Sequence, residues 1–317
     1  MAYDVICHCG WIAQVKTWAA AQDAIVRHRL DVGPQHAARA VPQRLEAPLP
    51  EPPPFEADAI ASPPDIEKEI PEHAAGQRAQ APPIEIGYRF VMRDGQALSF
   101  PIRLQSGAFR LLPEARADYP SWTALDCAQC PNCPLAIQES PRCPPAVGLI
   151  PIVEAFRNWW SNEEAEVTVT TPDRVITKRT ALQNALSGLM GLVMVTSGCP
   201  ILDKLRPLAF IHMPFGGLEE TLYRAATTYL LGQAFREARG LAADRSFAGL
   251  VAVYTEIRRI NQAFAQRLGA ATSGDAALNA LIHLDCYAQY ASSASFRRRL
   301  ADFEPLYEGY WREVPSA

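Results

Sequence analysis

Two runs of alternating hydrophobic and polar residues predict a β-hairpin in the first half of the chain. The alternation covers residues 86–92 and 97–104, and a period of two residues is typical of a strand with one buried face. Asp94 and Gly95 lie between the runs, and an Asp-Gly pair readily adopts the positive φ angles that a tight hairpin turn requires. A third strand is expected at residues 109–112.

The remainder of the chain predicts a second pair of strands and several helices. Apolar residues at helical spacing indicate a helix over residues 147–160, and strand patterns follow at 166–170 and 174–177. Further helices are expected at 180–196, 201–210, 217–239, 245–268, 275–295 and 297–312, separated by glycines and prolines. The predicted fold class is α+β: a small β-hairpin or sheet portion with a cysteine knuckle, followed by a mostly helical bundle.

The first 83 residues differ from this core in composition and in expected structure. Residues 1–32 are expected to form a separate small hairpin-helix module, with a strand over 3–7 and a helix over 17–28. Residues 33–83 contain twelve of the 27 prolines. Such a segment cannot bury enough apolar surface to offset its ordering entropy, so it is expected to be a disordered or extended linker. The folded core is therefore assigned to residues 84–317.

Composition and charge narrow the classes of function. With 317 residues, of which 49% are hydrophobic, the chain can build a sizeable core. The formal net charge of -4 offers no broad positive surface, so nucleic acid is not expected as the main partner. The longest apolar run, residues 186–195, is shorter than a membrane span, and the first residues lack the pattern of an export signal. A cytoplasmic protein without membrane association is expected, and its oligomeric state stays open.

Four cysteines that lie close together in the sequence predict a metal site. Cys127, Cys130 and Cys133 are separated by two residues each, and Cys143 follows. Two-residue spacers let neighbouring thiolates face one point, and four thiolates complete a tetrahedral zinc site. The alternatives are an iron–sulfur cluster and simple packing of small thiols in the core. In a reducing compartment, clustered cysteines are more often metal ligands or redox groups than structural disulfides.

The identity of the fourth ligand is open between two cysteines. Cys127 follows a possible strand end, from which its side chain could point away from Cys130 and Cys133. Cys199 could then complete the set. It lies between a glycine and a proline at the start of a predicted helix, where the helix dipole can lower the pKa of a thiol. Cys199 is therefore a possible ligand, a possible reactive cysteine or a packing residue.

A second zinc site is a hypothesis for the N-terminal module. Cys7, Cys9 and His28 supply three suitable ligands, with His8 as a possible fourth. Residues two apart in a strand share one face, which favours joint coordination by the two cysteines. A hairpin-helix without metal is the alternative.

Two further groups of residues have both functional and structural interpretations. His212 with Glu219 or Glu220 could form an acid/base or metal pair, although glutamates in a first helical turn also complement the helix dipole. A later predicted helix carries a mixed stripe on one face, which is more typical of a core than of a cofactor site: His283, Cys286, Tyr287 and Tyr290.

The core contains a series of short motifs: Cys130-Pro-Asn-Cys133-Pro-Leu, Cys143-Pro, Leu182-Gln183, Ser197-Gly-Cys-Pro200, His212-Met-Pro-Phe215, Glu219-Glu220-Thr221 and Tyr229-Leu-Leu. With these motifs, the chain from about residue 85 onward resembles a bacterial family of unknown function. In residues 1–32, the pattern Cys7, Cys9, Trp11 and His28 resembles a small zinc-finger-like module. The resemblance supports the presence of a site and implies no substrate.

Two hypotheses of function follow. The first is a cytoplasmic zinc-binding adaptor or regulatory protein without its own catalysis, which contacts a protein partner through the N-terminal module or the linker. A flexible linker of about fifty residues has a root-mean-square reach of roughly 40 Å, which would let the module and the core contact different partners. The second is a redox or metal-dependent enzyme that uses Cys199 or an iron–sulfur cluster at the four-cysteine site.

Limited proteolysis tests the predicted organisation. We expect cleavage within residues 33–83, because an extended segment is accessible to proteases, and a stable fragment that begins near residue 84. Mass spectrometry of the time course identifies the fragments. A single protected species that retains the whole segment would contradict the division into module, linker and core.

Overall fold

The computed structural model describes residues 3–7, 12–15 and 38–42 as strands, and describes residues 81–293 and 295–311. The chain divides into two compact units, Met1–Ile70 and Pro71–Ala317, which are considered separately.

The first unit contains a small antiparallel sheet. Strand β1 (Tyr3–Cys7) pairs with β2 (Ile12–Val15) on one side and with β3 (Ala38–Pro42) on the other. Strand β1 covers the residues expected as the first strand, and β3 lies within residues 33–83; the division into module and linker stays a prediction. Strand pairing in this unit therefore extends past residue 32. The helix expected over residues 17–28 lies outside the described residues.

The second unit begins with the predicted hairpin and builds a four-stranded antiparallel sheet. Its strands are β4 (Ile84–Met92), β5 (Ala97–Leu104), β6 (Glu164–Thr171) and β7 (Arg174–Ala181), in the order β5-β4-β6-β7. Gly95 has φ 87° in the turn between β4 and β5, which is the conformation that the Asp-Gly pair predicts. Both strand pairs are confirmed, and the fold class is α+β.

One face of this sheet forms part of the hydrophobic core. Tyr88 and Phe90 of β4 and Val167 and Val169 of β6 are fully or almost fully buried. Along β4 the buried positions alternate with more exposed ones, as the period-two pattern requires. Phe156 packs edge-on against Phe90, with ring centroids 5.0 Å apart, and so connects the sheet to the helical layer.

Helices cover this face and complete the core. The α-helices are α1 (Pro144–Ala155), α2 (Leu182–Thr196), α3 (Leu218–Glu237), α4 (Ala248–Gly269), α5 (Ala276–Ala291) and α6 (Ser295–Ala301). Short 3-10 helices lie at Ser121–Thr123, Leu202–Ala209 and Glu304–Tyr310. Within the described part of the chain, none of these helices combines the length and the apolar character that crossing a bilayer requires.

The expected helices are present, with two differences in type and one expected strand that does not form. The segment expected at 201–210 is a 3-10 helix, in which Pro207 has no N–H to continue an α-helical ladder. The segment at 297–312 divides into α6 and a 3-10 helix. Residues 109–112 make only a single bridge, between Leu111 and Leu104, because Phe109 has φ 52° and interrupts the extended backbone.

A close junction fixes the start of α5 against the loop that precedes β6. The Asp275 carboxylate accepts a hydrogen bond from the backbone N–H of Ser161 at 2.6 Å, and the Asn279 side chain donates to the Ser161 hydroxyl at 2.9 Å. Gly274 lies directly against the backbone of Trp159, where a Cβ atom at residue 274 would overlap backbone atoms. Only glycine fits this contact.

Gly274→Ala is expected to lower the free energy of unfolding by about 2 kcal/mol, because the added methyl group forces backbone atoms apart. Gly232→Ala on α3 is the matched control: its Cβ would meet nothing within 4 Å, and it should stabilise the protein by about 1 kcal/mol through helix propensity. Chemical denaturation of both variants measures the difference. Equal stability of the two variants would contradict the close junction.

Candidate functional site

A loop with little regular structure carries three of the candidate cysteines. This cysteine loop, residues 124–142, is closed at its base by two backbone hydrogen bonds. Leu125 N–H donates to the Pro141 carbonyl at 3.0 Å, and Cys143 N–H donates to the Thr123 carbonyl at 2.9 Å. The chain therefore leaves the core and returns to it at one place, which puts Cys143 at the base of the loop.

Cys130 and Cys133 form a tight turn that docks on helix α4. The Cys133 N–H donates to the Cys130 carbonyl at 3.0 Å, so the two-residue spacer folds as the motif predicts. The Asn132 side chain donates to the backbone carbonyl of Glu256 at 3.0 Å and to its carboxylate at 2.7 Å. These bonds hold the turn against α4, and the two thiols face the interior of the protein.

Two further cysteines lie just before helices. Cys143 is the N-cap residue of α1 and is 8% exposed, and Cys199, between α2 and the following 3-10 helix, is 9% exposed. The backbone N–H of Ala146 donates to the sulfur of Cys143, and the N–H groups of Ile201 and Leu202 donate to that of Cys199. Hydrogen bonds of this kind stabilise a thiolate, because they bring the positively polarised N–H hydrogen next to the negatively charged sulfur.

Cys130, Cys133, Cys143 and Cys199 line one cavity of about 20 Å³. Charge repulsion from Cys133, Cys143 and Cys199 raises the pKa of Cys130, and Cys133 also raises the pKa of Cys143 and of Cys199, so the four thiols lie close together. The remaining lining is apolar and includes Leu125, Leu135, Pro144, Pro145, Ile201, Ile260 and Phe264. Cys127 is half-buried against the core and does not line this cavity.

Burial keeps the thiols of Cys130, Cys143 and Cys199 protonated at neutral pH. It raises the pKa of Cys130 to about 12, with a further contribution from Cys143 and Cys133. It also raises the pKa of Cys143 and of Cys199, and it outweighs the hydrogen bonds from the backbone N–H groups. The pKa of Cys199 is therefore shifted upward, whereas the helix dipole was expected to lower it. A reactive thiolate at Cys199 is therefore disfavoured.

Arg267 of α4 is buried beside the cysteines, with only 1% of its surface exposed. Its guanidinium donates to the carbonyl of Trp122 at 2.5 Å and to that of Ala124 at 2.6 Å, and more weakly to that of Leu125 at 3.3 Å. Its charge lowers the pKa of Cys130 and of Cys143. Within the described residues Arg267 makes no salt bridge, and its Nε has no hydrogen-bond partner.

No local sequence pattern indicates that Arg267 belongs to the site. Arg267 lies near the C-terminal end of a helical pattern, where a basic residue complements the helix dipole and is normally solvated. Its contacts with the cysteine loop span more than 140 positions of sequence. Only the tertiary structure reveals it as part of the site.

In the arrangement that the structure shows, no group of three or more Cys, His, Asp or Glu side chains among the described residues is disposed to hold a metal ion. Zinc–sulfur bonds are about 2.3 Å long, so side-chain rotation of the four cavity cysteines would be needed to bring them around one ion. Of the N-terminal candidates, Cys7 is the last residue of β1. Cys9 and His28 lie outside the described residues, so this second predicted site stays a prediction.

His212 is paired with a tyrosine of the sheet. The distance between Tyr88 Oη and His212 Nε2 is 2.6 Å, and burial, with the nearby Arg224, lowers the pKa of His212 to about 4. His212 is therefore neutral at physiological pH. A Glu220 carboxylate oxygen accepts a hydrogen bond from Gly217 N–H at 2.8 Å, which is the helix-start role that the sequence allowed as an alternative.

The mixed stripe on α5 has separate structural contacts and no common site. Tyr287 donates to the Gly216 carbonyl at 3.2 Å, and Arg299 donates to the hydroxyl of Tyr290 at 3.0 Å. The ring of His283 lies edge-on to that of Tyr287, and Cys286 is exposed. This agrees with the structural interpretation of the stripe.

The comparisons with known proteins give a family and no activity. No curated protein and no solved structure matches the chain. A family described as a domain of unknown function, DUF6901, matches residues 86–308. This range includes the sheet, the cysteine loop, Cys199 and Arg267. Because the match covers more than half of the sequence, the chain belongs to the DUF6901 family.

Proposed function

We propose that the protein is a zinc-binding protein in which Cys130, Cys133, Cys143 and Cys199 hold one structural zinc ion. The observation that carries the proposal is that four thiols from three separate segments line one small cavity beside the buried Arg267. In this assignment Cys199 replaces Cys127 as the fourth ligand. The spacing Cys130-x-x-Cys133, followed by two cysteines at helix starts, suits a closed tetrahedral site.

The charges around the cavity support this assignment. Burial of a guanidinium without an anion is costly, and Arg267 has no acidic partner among the described residues. Four thiolates with one zinc ion carry a net charge of -2, which would offset the positive charge of Arg267. The backbone N–H groups that donate to Cys143 and Cys199 would remain as hydrogen-bond donors to metal-bound sulfur.

The apolar lining also favours an ion over water. A buried water needs two to four polar partners, and the cavity offers little besides thiols, which are weak hydrogen-bond groups. Soft sulfur ligands in an apolar space are typical of structural zinc.

For the whole chain we propose an adaptor or regulatory role without catalysis. The zinc ion would stabilise the core, and the N-terminal module or the proline-rich segment would contact a protein partner. This role rests on the division of the chain into two units and on the proline content of residues 33–83. Co-purification with full-length protein, compared with protein that begins at residue 84, tests it: a partner that is retained equally by both would contradict the role.

The second candidate function is redox chemistry at an iron–sulfur cluster held by the same cysteines. All-cysteine ligation with N–H donors on the sulfurs also suits such a cluster. Anaerobic purification separates the two candidates. A colourless protein with one zinc per chain supports the structural site, whereas a brown protein that contains iron and sulfide supports the cluster.

Cys130→Ser and Cys199→Ser are expected to reduce bound zinc from about one per chain to nearly none, because a hydroxyl is a poor replacement for thiolate. We expect the melting temperature to fall by about 10 °C, as a loss of roughly 3–5 kcal/mol implies for a domain of this size. Elemental analysis and calorimetry are the measurements.

Cys127→Ser and Cys286→Ser are the matched controls, because neither residue lines the cavity. Both controls should retain zinc and wild-type stability. Zinc loss in Cys127→Ser with zinc retained in Cys199→Ser would restore Cys127 as the fourth ligand. Full zinc content in all four variants would show that the cavity cysteines are packing residues.

Zinc binding is expected to release protons and to weaken as the pH falls. Burial raises the pKa of Cys130, Cys143 and Cys199, so the metal-free thiols are protonated at pH 7, and the ion must displace a proton from each ligand. Calorimetric titration of metal-free protein in buffers with different ionisation enthalpies counts the protons. Binding without proton release, or with affinity independent of pH between 6 and 8, would contradict ligation by these thiols.

A further inference from the structure

A second, larger concavity lies on another part of the core. It is an open groove of about 570 Å³ between the 3-10 helix Leu202–Ala209, helix α3 and the start of α4. Its volume is in the range of small-molecule sites, roughly 300–1,000 Å³. Leu205, Leu208, Leu250 and Val253 give it an apolar lining. The groove can therefore bury a hydrophobic body.

Two basic side chains line this groove without an ionic partner. Neither Lys204 nor Arg236 makes a salt bridge within the described residues, whereas the acidic residues next to them in sequence are paired. The Asp203 carboxylate lies 3.2 Å from Arg206 Nε, and the Glu237 carboxylate lies 2.6 Å from a terminal nitrogen of Arg245. The positive charges of the groove are thus available to an incoming anion.

Arg236 is held in place at the rim. Its Nε donates to the carbonyl of Ala242 at 2.9 Å, which orients the guanidinium without occupying its two terminal nitrogens. A planar guanidinium fixed in this way can bind both oxygens of a carboxylate.

Asp244 is the one acidic residue in the described lining of the groove, and its oxygens are already occupied. One accepts from the Tyr229 hydroxyl and from Gly249 N–H, both at 2.7 Å, and the other accepts from the N–H and the hydroxyl of Ser246 at 2.7 and 2.6 Å. These bonds hold the pKa of Asp244 well below its usual range. Asp244 therefore stays ionised and organises the wall of the groove. It makes no salt bridge with Lys204 or Arg236 within the described residues, and these two cations outnumber it in the lining.

From this arrangement we propose that the groove binds a small amphipathic carboxylate, with the carboxylate between Lys204 and Arg236 and the apolar body against the leucines of the lining. The groove shares no lining residue with the cysteine cavity, and the proposal does not depend on zinc. It adds a small-molecule ligand to the proposed adaptor role.

The first test compares two probes of the same shape and different charge. Naphthalene-1-acetate combines a carboxylate with an apolar body, and naphthalene-1-acetamide is its neutral counterpart. With about 0.3 kcal/mol per heavy atom, the acetate should bind the full-length protein with a dissociation constant of about 1 mM or tighter. The amide should bind about tenfold more weakly, since it lacks the charge-assisted hydrogen bonds. Ligand-observed NMR titration measures both affinities.

The second test uses variants of the groove with matched controls. Lys204→Gln and Arg236→Gln should each weaken binding of the acetate about tenfold, whereas Arg297→Gln, which removes a charge from an exposed position elsewhere, should not. Gly232 lines the groove and has open space at its Cβ position, so Gly232→Leu should block binding without disturbing the fold. Ala234→Leu, exposed on the same helix and outside the groove, is the steric control.

The melting temperature of each variant confirms that it is folded. Equal binding of acid and amide would overturn the proposal, because the head group would then not be recognised. Unchanged affinity in folded Gly232→Leu would overturn it as well, because the probe would be bound elsewhere. No binding of either probe up to about 10 mM would show that the groove is not a site for this class of ligand.

Discussion

The burial of one guanidinium determines where the cysteine loop lies. The loop contains little regular secondary structure, so most of its backbone carbonyls have no partner in a strand or helix. Arg267 supplies donors for the carbonyls of residues 122, 124 and 125 at the point where the loop begins. Because buried carbonyls require hydrogen bonds, removal of this side chain would leave the carbonyls of residues 122 and 125 unsatisfied and that of residue 124 with only the N–H of Cys127. The positions of Cys130 and Cys143 thus depend on a residue of α4.

A second arginine plays a similar part elsewhere in the core. Arg224 of α3 donates to the carbonyl of Leu208 at 3.0 Å, and its Nε, like that of Arg267, is buried without a partner. Its charge disfavours protonation of His212, which is bonded to Tyr88 of the sheet. In both places a long cationic side chain from an α-helix binds backbone carbonyls of a segment that lies outside the α-helices and the sheet.

Sequence patterns predicted the regular elements well because those elements depend on local periodicity. The hairpin around Gly95, the second strand pair and the order of the helices are confirmed, and the main errors are a 3-10 helix at Pro207 and the strand that Phe109 interrupts. The candidate site could be predicted from the sequence only in part. The spacing of Cys130 and Cys133 indicated a shared site, but the choice between Cys127 and Cys199 depends on which segments meet in space. No local pattern contains that information.

The meeting of Cys199 with the cysteine loop has a consequence for the unfolded chain. An ion held by Cys130 and Cys199 would cross-link two positions that are 69 residues apart. It would restrict the denatured ensemble in the way a disulfide does. For a loop of this length, the entropy of closure alone corresponds to about 4 kcal/mol. The enclosed segment contains α1, the hairpin β6–β7 and α2, which form the centre of the core. Metal occupancy would then decide how far these elements can separate, and so would set the cooperativity of unfolding as well as its free energy.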